Sequence, residues 1–522
     1  MAKKPNILFV MADQLRADFI GVNGHPTIMT PNFDKLASDG YNFSNAYCQA
    51  PVCGPSRMSF YTGRYARSHG AVYNGVPINV NEQGLGNYLR PLGYRVGLVG
   101  KTHMAKDIEG MRRLGIDSES SLGVLLSQCG FEPYERDDGL HPDNRVSPDL
   151  AYNAYLREHG FAGENPWHSW ANSGVDENGE LASGWFLRNS HLAARIPDEH
   201  SETAYMTNRA IDFIRETGEQ PWCLHLSYIK PHWPYIVSEP FNTMYTSDDV
   251  REAVKSDERS SHPVVDAFRQ HEESVELSKD HVRKQVIPTY MGLVSQVDFH
   301  FGRLIEFLEK NQQLDNTLIV VTADHGDYLG DYGLGEKDLF HEPSVRIPMI
   351  MKMPTSDGLT VAAGSTCEDL VESIDLVPTF IEIAGGQIPT HILEGRSIIP
   401  LLEGKITNEW RNFTFSETDY AYRPARKMLK VLPSDAKILM VRNKRWKLIM
   451  YQGFESQLYD LESDPTELYD VIKDPQNEKI IKELEEAAFE WALSRKSRTT
   501  VSDEQIETAI NPKSRGIYFG VW

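Results

Sequence analysis

A cysteine followed by a proline and an arginine is the most specific chemical feature of this sequence. Residues 53–64 read CGPSRMSFYTGR. The proline and Arg57 favour a turn that leads into a helix, and the N-terminus of a helix attracts anions. A cysteine in that place has two ordinary roles, as a nucleophile or as a small buried side chain. The residue types alone leave both roles open for Cys53.

Charged residues also stand at the ends of three apolar runs that are far apart in the chain. Asp13 follows ILFVMA, Lys101 follows VGLVG, and the pair Asp324-His325 follows LIVVTA. Ligands of doubly wound α/β proteins bind outside the carboxyl ends of the strands, so these residues would share one site. The alternative is that each charged residue only caps its strand, as polar residues commonly do. This explanation is plausible for any one strand end and much weaker for all three together.

The apolar runs have the pattern of strands that are buried on both faces of a parallel sheet. They lie at 5–14, 94–101, 222–227 and 317–325. Helical patterns lie between them, at 31–40, 85–92, 201–216 and 290–311. This alternation predicts an α/β domain with a large mixed, mostly parallel sheet flanked by helices.

The domain organisation follows from changes in this pattern. Residues 1–404 form the predicted catalytic domain, and its weakly periodic part at 110–201 is interpreted as an insertion. Residues 405–522 form a smaller predicted α+β domain. Short strands at 446–451 and 457–461 indicate an antiparallel sheet there, followed by a helix at 480–493 and an aromatic tail at 516–522.

The segment at 53–64 resembles the modification motif of the type I sulfatases, which belong to the alkaline phosphatase superfamily. In that family the cysteine is oxidised to formylglycine (3-oxoalanine), and the hydrated aldehyde is the nucleophile. Further segments similar to the family occur in family order, at 6–14, 30–37, 100–103, 231–234, 322–327, 335–337, 344–348 and 458–465. The resemblance therefore covers nearly the whole chain and implies an alkaline-phosphatase-like fold.

The resemblance implies one divalent metal ion, held by Asp13, Gln14, Asp324, His325 and the modified Cys53. Many sulfatases have only oxygen ligands at the equivalent positions and bind Ca²⁺. Gln14 and His325 depart from that set and resemble the phosphonate monoester hydrolase and choline-sulfatase branches. Oxygen ligands with a single imidazole suit a hard or borderline ion, so Mn²⁺ and Ca²⁺ both stay open.

The resemblance also implies a cationic pocket around the ester, in which Arg57 steadies the nucleophile through its planar guanidinium. Lys101 and Lys337 would bind oxygens of the tetrahedral anion. His103 would act as the base that breaks down the covalent intermediate, and His232 would protonate the leaving group and contact the substrate. Asn74 lies where the relatives have an anion-binding asparagine. An exposed surface position is the alternative for each of these residues.

The implied activity is hydrolysis of sulfate monoesters of the arylsulfatase type. Sulfate monoesters, phosphate diesters and phosphonate monoesters each have about one negative charge, whereas phosphate monoesters have nearly two. One metal ion with two lysines and two histidines suits the singly charged group. Lys101 and His103 resemble the sulfatase form, whereas phosphonate monoester hydrolases have Tyr and Thr there. Phosphonate monoester or phosphodiester hydrolysis is the alternative, and promiscuity between these substrates is expected.

A protein that only binds a metal on the same fold is a further alternative, which a missing ligand would favour. None of the inferred ligands is missing.

Composition restricts the partners and the location. The chain has 522 residues, with 53 Lys+Arg against 74 Asp+Glu and a formal net charge of −21, which argues against nucleic acids and anionic membranes as partners. Six apolar residues before Asp13 are too few for a secretory or membrane-spanning segment. The five scattered cysteines form no disulfide framework, so a cytoplasmic protein is expected.

Two protein partners are expected. A formylglycine-generating enzyme would be needed to mature Cys53. The aromatic tail at 516–522 would expose apolar surface to water and so favour aggregation. We therefore expect it to dock on a neighbouring subunit in a homodimer or homotetramer.

Overall fold

The computed structural model describes residues 4–142, 149–255, 261–355, 363–403 and 410–509. Over these ranges the strands are β1 Asn6–Asp13, β2 Tyr41–Phe43, β3 Ala46–Tyr47, β4 Arg95–Gly100, β5 Glu132–Arg136, β6 Ser173–Val175, β7 Leu181–Ser183, β8 Trp222–Pro231, β9 Thr317–Ala323, β10 Arg346–Ile347, β11 Met349–Lys352, β12 Ser365–Cys367, β13 Val371–Glu372, β14 Thr414–Asp419, β15 Lys437–Arg442, β16 Trp446–Tyr451 and β17 Gln457–Asp460.

The α-helices of the same ranges are α1 Pro31–Ser38, α2 Cys53–Thr62, α3 Ala66–His69, α4 Leu85–Leu89, α5 Ile108–Leu114, α6 Ser121–Ser127, α7 Ala151–Glu158, α8 Glu202–Thr217, α9 Pro263–Arg269, α10 Glu272–Leu277, α11 Asp280–Lys310, α12 Glu342–Val345, α13 Leu376–Ile383, α14 Ile399–Leu402, α15 Pro424–Met428, α16 Glu478–Leu493 and α17 Asp503–Ala509. None of the helices in the described part of the chain combines the length and hydropathy needed to cross a bilayer.

The central element is a mixed sheet with the strand order β12-β2-β11-β9-β1-β8-β4-β5. Its middle strands are parallel, and β11 is antiparallel to both of its neighbours. Every residue of β1, β8 and β9 is buried, because helices cover both faces of the sheet. The predicted large, mostly parallel sheet flanked by helices is confirmed.

The C-terminal part contains an antiparallel sheet with the order β14-β15-β16-β17. Helix α16 packs on it, and Val441, Leu448, Leu458 and Leu484 form a second hydrophobic core between them. The predicted antiparallel sheet is therefore confirmed. The boundary at 404/405 and the aromatic tail at 516–522 lie outside the described residues, so the domain limits and the docking contact stay predictions.

One local prediction differs from the structure. Helix α11 begins at Asp280 rather than at 290, with Pro288 inside it, because burial of Val286 and Ile287 stabilises the turns that precede the proline. Within the region interpreted as an insertion, β5 pairs with β4 and forms an edge strand of the main sheet.

Candidate active site

The site lies where four adjacent parallel strands end. In the order β9-β1-β8-β4, each strand ends at or just before a predicted site residue. Asp13 is the last residue of β1, and Asp324, His232 and Lys101 follow β9, β8 and β4. Helix α2 begins at Cys53 and is buried over its whole length. Because Cys53 lies beside Asp13 and Asp324, the N-terminus of this helix lies at the same edge of the sheet.

Four side chains form a compact cluster at this edge. One ligand atom from each of Asp13, Cys53, Asp324 and His325 lies within 4.8 Å of the others, and all four residues are buried. Asp13 comes from β1, Cys53 from α2, and the other two from the loop after β9. Folding thus brings together four of the five predicted metal ligands.

Arg57, predicted to steady the nucleophile, contacts two carboxylates of the cluster. Its Nη2 lies 2.9 Å from Asp13 Oδ2, and its Nε lies 2.8 Å from Asp324 Oδ2. Its Nη1 donates to the carbonyl of Lys101 and to the hydroxyl of Ser227. The fully buried guanidinium thus neutralises two carboxylates that would otherwise repel each other, and the charge of Cys53 also acts on it.

The fifth predicted ligand, Gln14, lies beside the cluster with its side chain fixed at both ends. Its Oε1 accepts a hydrogen bond from Lys337 Nζ at 2.8 Å, and its Nε2 donates to Asp327 Oδ2. Its backbone N–H donates to Asp324 Oδ1 at 3.0 Å, with φ at 63°. Asp327 therefore orients Gln14. Asp327 was present in the segment that resembles the family, but without a predicted role.

The donor chemistry of this cluster fits a divalent cation. His325 Nδ1 lies 2.8 Å from the carbonyl of Gly326, and since a carbonyl only accepts, the proton is on Nδ1. Nε2 is then the nitrogen that faces the cluster, 3.1 Å from Cys53 Sγ. Burial opposes protonation, but Asp324 and Cys53 raise the pKa of His325 to about 9. An environment that attracts a proton this strongly also favours a metal ion on Nε2.

Cys53 is surrounded by positive charge. Burial raises the pKa of its thiol, but Lys337, Lys101 and His325 oppose this and hold the pKa well below its usual value. Lys337 Nζ donates to Sγ at 3.3 Å. Sγ occupies the place at which the oxygen atoms of an aldehyde hydrate would lie. The same positive charges would stabilise an anionic oxygen there.

His103 and His232, the two histidines predicted to transfer protons, follow β4 and β8, and both lie near Cys53. His103 also lies against the thiol and lowers its pKa. The Nδ1 of His232 lies 2.7 Å from the carbonyl of Trp233, so this nitrogen has the proton and Nε2 is left for the substrate. Burial and the charge of Lys101 lower the pKa of His232.

Lys101 and Asn74 complete the predicted set. Lys101 Nζ lies 2.5 Å from Asp13 Oδ2. Asn74 Oδ1 accepts from the backbone N–H of Gly54 at 2.7 Å, which fixes the asparagine at the start of α2. A Cβ at position 54 would lie 2.9 Å from this oxygen, so the close approach requires glycine.

These residues line one cavity of about 380 Å³. The predicted residues Cys53, Asn74, Lys101, His103, His232 and Lys337 are all in its walls. The sequence did not indicate three further wall residues, Tyr73, Trp185 and Arg423. Arg423 comes from the C-terminal part of the chain and belongs to no motif, so no sequence pattern indicated a place for it in this cavity.

Comparison with known proteins finds relatives along most of the chain. The family model described as Sulfatase matches residues 5–386, and that described as N-sulphoglucosamine sulphohydrolase, C-terminal, matches residues 330–492. The multifunctional alkaline phosphatase superfamily protein PehA of Trinickia caryophylli is 29% identical over 95% of this chain and 96% of its own. An arylsulfatase of Clostridium perfringens is 28% identical over 88% of this chain and 89% of its own.

Among solved structures, the phosphonate monoester hydrolase SpPMH from Silicibacter pomeroyi is similar to this chain with a TM-score of 0.83 and 26% identity. The match covers 96% of this chain and 98% of that one.

Proposed function

The chain belongs to the sulfatase family, and we propose that it hydrolyses sulfate monoesters, including aryl sulfates. Its relatives support a hydrolase that acts on ester bonds. The single observation on which the proposal depends is the buried cluster of Asp13, Cys53, Asp324 and His325 beside a cavity whose wall contains Lys101 and Lys337. This cluster combines a nucleophile position, a set of metal donors and a pocket for a tetrahedral anion.

Two groups complete the site in this proposal. Residue 53, oxidised to formylglycine by a separate modifying enzyme, supplies a hydroxyl of the hydrated aldehyde as the nucleophile. Asp13, Gln14, Asp324, His325 and residue 53 would hold Mn²⁺ or Ca²⁺, which supplies a Lewis acid for the charge that develops on the ester.

The lysines hold the anion in place. Lys337 Nζ, between Gln14 Oε1 and residue 53, binds a sulfate oxygen near the nucleophile. Lys101 Nζ lies on Asp13 and lines the cavity, where it binds a second oxygen or the leaving oxygen. Both charges are already fixed before the ester binds, so little reorganisation is needed in the transition state.

The histidines move the protons. His232 Nδ1 donates to a carbonyl in either protonation state, so a second proton, on Nε2 of the imidazolium, is the one delivered to the leaving oxygen. The charge of the anionic ester stabilises that imidazolium. His103 Nδ1 is buried and has no hydrogen-bond partner within the described part of the chain. Because the His103 side chain also lies against residue 53, it is the residue that accepts a proton from residue 53 and so acts as the base that releases sulfate.

Phosphonate monoester hydrolysis is the second candidate, and the likeness to SpPMH favours it. Both ester groups have about one negative charge, so the cluster and the lysines suit either. Lys101 and His103, both in the cavity walls, support sulfate as the preferred group.

A comparison of three substrates tests the proposal. We expect kcat/KM to be highest for para-nitrophenyl sulfate, lower for the para-nitrophenyl ester of phenylphosphonate, and lower for bis(para-nitrophenyl) phosphate. A higher kcat/KM for the phosphonate would reverse the ranking. Mass spectrometry of the peptide that contains Cys53 is the matched control, because it shows which fraction of the enzyme has the aldehyde.

Cytoplasmic location, maturation by a formylglycine-generating enzyme and a homodimer or homotetramer remain parts of the proposal. Co-expression with such an enzyme should raise both the aldehyde content and the specific activity in proportion.

A further inference from the structure

A second cavity of about 580 Å³ lies beside the catalytic one. The two cavities have Trp185, Trp233, Pro234 and Glu336 as common walls. An ester whose anionic group lies at residue 53 therefore has space for its remaining part beyond Trp233. The second cavity is in the right place to hold the alcohol or phenol portion of a substrate.

The common wall of this cavity is aromatic. The rings of Trp185 and Trp233 meet edge to face, with centroids 5.0 Å apart and planes inclined by 63°. Leu277, which is buried, and Leu187 add apolar surface farther along the cavity. Walls of this kind bind flat aromatic or alkyl groups, and the face of an indole also attracts cations.

The charges of the second cavity are mostly negative. Four glutamates line it, namely Glu272, Glu273, Glu276 and Glu336. The cation in the same wall is Arg188, whose guanidinium lies over the ring of Phe186 at 4.8 Å.

Some of these glutamates are already paired. Glu273 bonds Arg423, Glu276 lies 2.6 Å from Lys279, and Glu336 lies 3.6 Å from Lys337. Glu272, which is exposed, has no ion pair within the described residues.

The catalytic cavity is cationic at its residue 53 end. Lys337 Nζ lies 3.3 Å from Cys53 Sγ, and Lys101 also acts on the thiol as a nearby positive charge. Over the whole wall, Lys101, Lys337 and Arg423 are matched by Asp138, Asp338 and Glu336. The combined cleft therefore changes from cationic at residue 53 to acidic and aromatic beyond Trp185. A molecule that matches this order has an anionic ester at one end and a positive charge at the other, separated by an apolar segment.

We propose that the second cavity is the leaving-group subsite and selects esters whose aromatic or alkyl alcohol portion has a protonated or quaternary amine. The inference rests on the proposed function, because it takes the tetrahedral anion to lie at residue 53. Trp185 holds the apolar segment, and Glu272 and Glu276 attract the distal cation.

Three phenyl sulfates that differ only at the para position test the charge preference. The substituents are aminoethyl, ethyl and carboxymethyl, which leave the phenolic oxygen with nearly the same acidity. We expect kcat/KM to be about fivefold higher for the aminoethyl ester than for the ethyl ester, and about fivefold lower for the carboxymethyl ester. The difference should lie in KM, because the distal charge is remote from the bond that breaks.

The double variant Glu272→Gln/Glu276→Gln should lower the ratio of kcat/KM between the aminoethyl and the ethyl ester from about fivefold towards one. The matched control is Glu483→Gln/Glu485→Gln on the exposed face of α16, which changes the net charge equally and should keep the preference. Trp185→Ala should raise KM for all three esters. Equal kcat/KM for the three esters, or an unchanged preference in the Glu272/Glu276 variant, would overturn the inference.

The same three substituents on phenylphosphonate monoesters separate the two hypotheses. If only the phosphonates are hydrolysed, and kcat/KM is again highest for the aminoethyl and lowest for the carboxymethyl ester, the proposed subsite is supported and the proposed sulfatase activity is refuted. If the sulfates are hydrolysed with equal kcat/KM for the three substituents, the proposed sulfatase activity is supported and the subsite is refuted. Failure of both ester series refutes both.

Discussion

Asp138 Oδ1 accepts a hydrogen bond from the backbone N–H of His103 at 2.9 Å. The same oxygen accepts from the N–H of Thr102 at 2.7 Å, and Oδ2 is bonded to Arg136. His103 has a φ of 56°, in the left-handed region that is unfavourable for a residue with a side chain. Asp138 thus offsets the cost of the conformation that places His103 against residue 53.

We expect Asp138→Ala to lower kcat about 10- to 100-fold with a smaller change in KM, because His103 loses its position rather than its chemistry. Asp138→Asn keeps an accepting oxygen and should retain most of the activity. Steady-state kinetics check both variants. In a His103→Ala background the Asp138→Ala change should cost almost nothing, and a full additional loss there would show that Asp138 acts through another residue.

Replacement of Arg57 should destabilise the protein as well as the site. Arg57→Ala leaves Asp13 and Asp324 buried without their common cation, which costs about 3–5 kcal/mol of unfolding free energy. Arg57→Lys should recover only part of this, because one ammonium cannot reproduce the two-sided contact. Urea unfolding measures the loss. Arg112→Ala, at an exposed ion pair within α5, is the control and should change the free energy by less than about 1 kcal/mol.

Removal of the metal should abolish hydrolysis reversibly. Dialysis against a chelator is expected to remove one divalent ion per chain, and Mn²⁺ or Ca²⁺ should restore activity. His325→Asn exchanges an imidazole for an amide oxygen, so it should weaken Mn²⁺ binding more than Ca²⁺ binding. Titration calorimetry with each ion checks this ratio. The exposed His281→Asn should leave both affinities unchanged, and equal losses for the two ions in His325→Asn would argue against direct ligation by His325.

Stability should fall as the pH is lowered through the ordinary histidine range. His225 is buried between the carbonyl of Phe9, which accepts a hydrogen bond from its Nδ1–H, and the hydroxyl of Tyr61. Burial lowers the pKa of His225 to about 3, and burial likewise lowers the pKa of His69 to about 3.

These pKa values are below the usual value of about 6.5, so the unfolded chain binds protons that the folded protein does not. The stabilisation is complete above about pH 6.5 and decreases by about 1.4 kcal/mol per pH unit per histidine between about pH 6.5 and pH 3. Urea midpoints measured over the upper part of this range give the slope. His225→Gln should reduce it by the share of one histidine, and an unchanged slope would show that His225 titrates normally.

The sequence was sufficient to predict those strands and helices that depend on the pattern of neighbouring residues. The apolar runs before Asp13 and Asp324 form β1 and β9, because residues buried on both faces of a sheet must be apolar throughout. The position of Cys53 at the start of a helix could also be predicted from the sequence, since a turn into a helix depends on neighbouring residues.

Only the tertiary structure decided which side chains those elements meet. Gln14 bonds Asp327 across 313 residues, and Arg57 bonds Asp324 across 267. No periodicity in the sequence predicts such long-range hydrogen bonds, because they form only when strands distant in sequence become neighbours in the sheet. The same holds for Arg423, whose place in the cavity wall depends on how the C-terminal part packs against the strand ends. Local sequence determines where a strand ends, whereas the geometry between strand ends is a property of the assembled sheet.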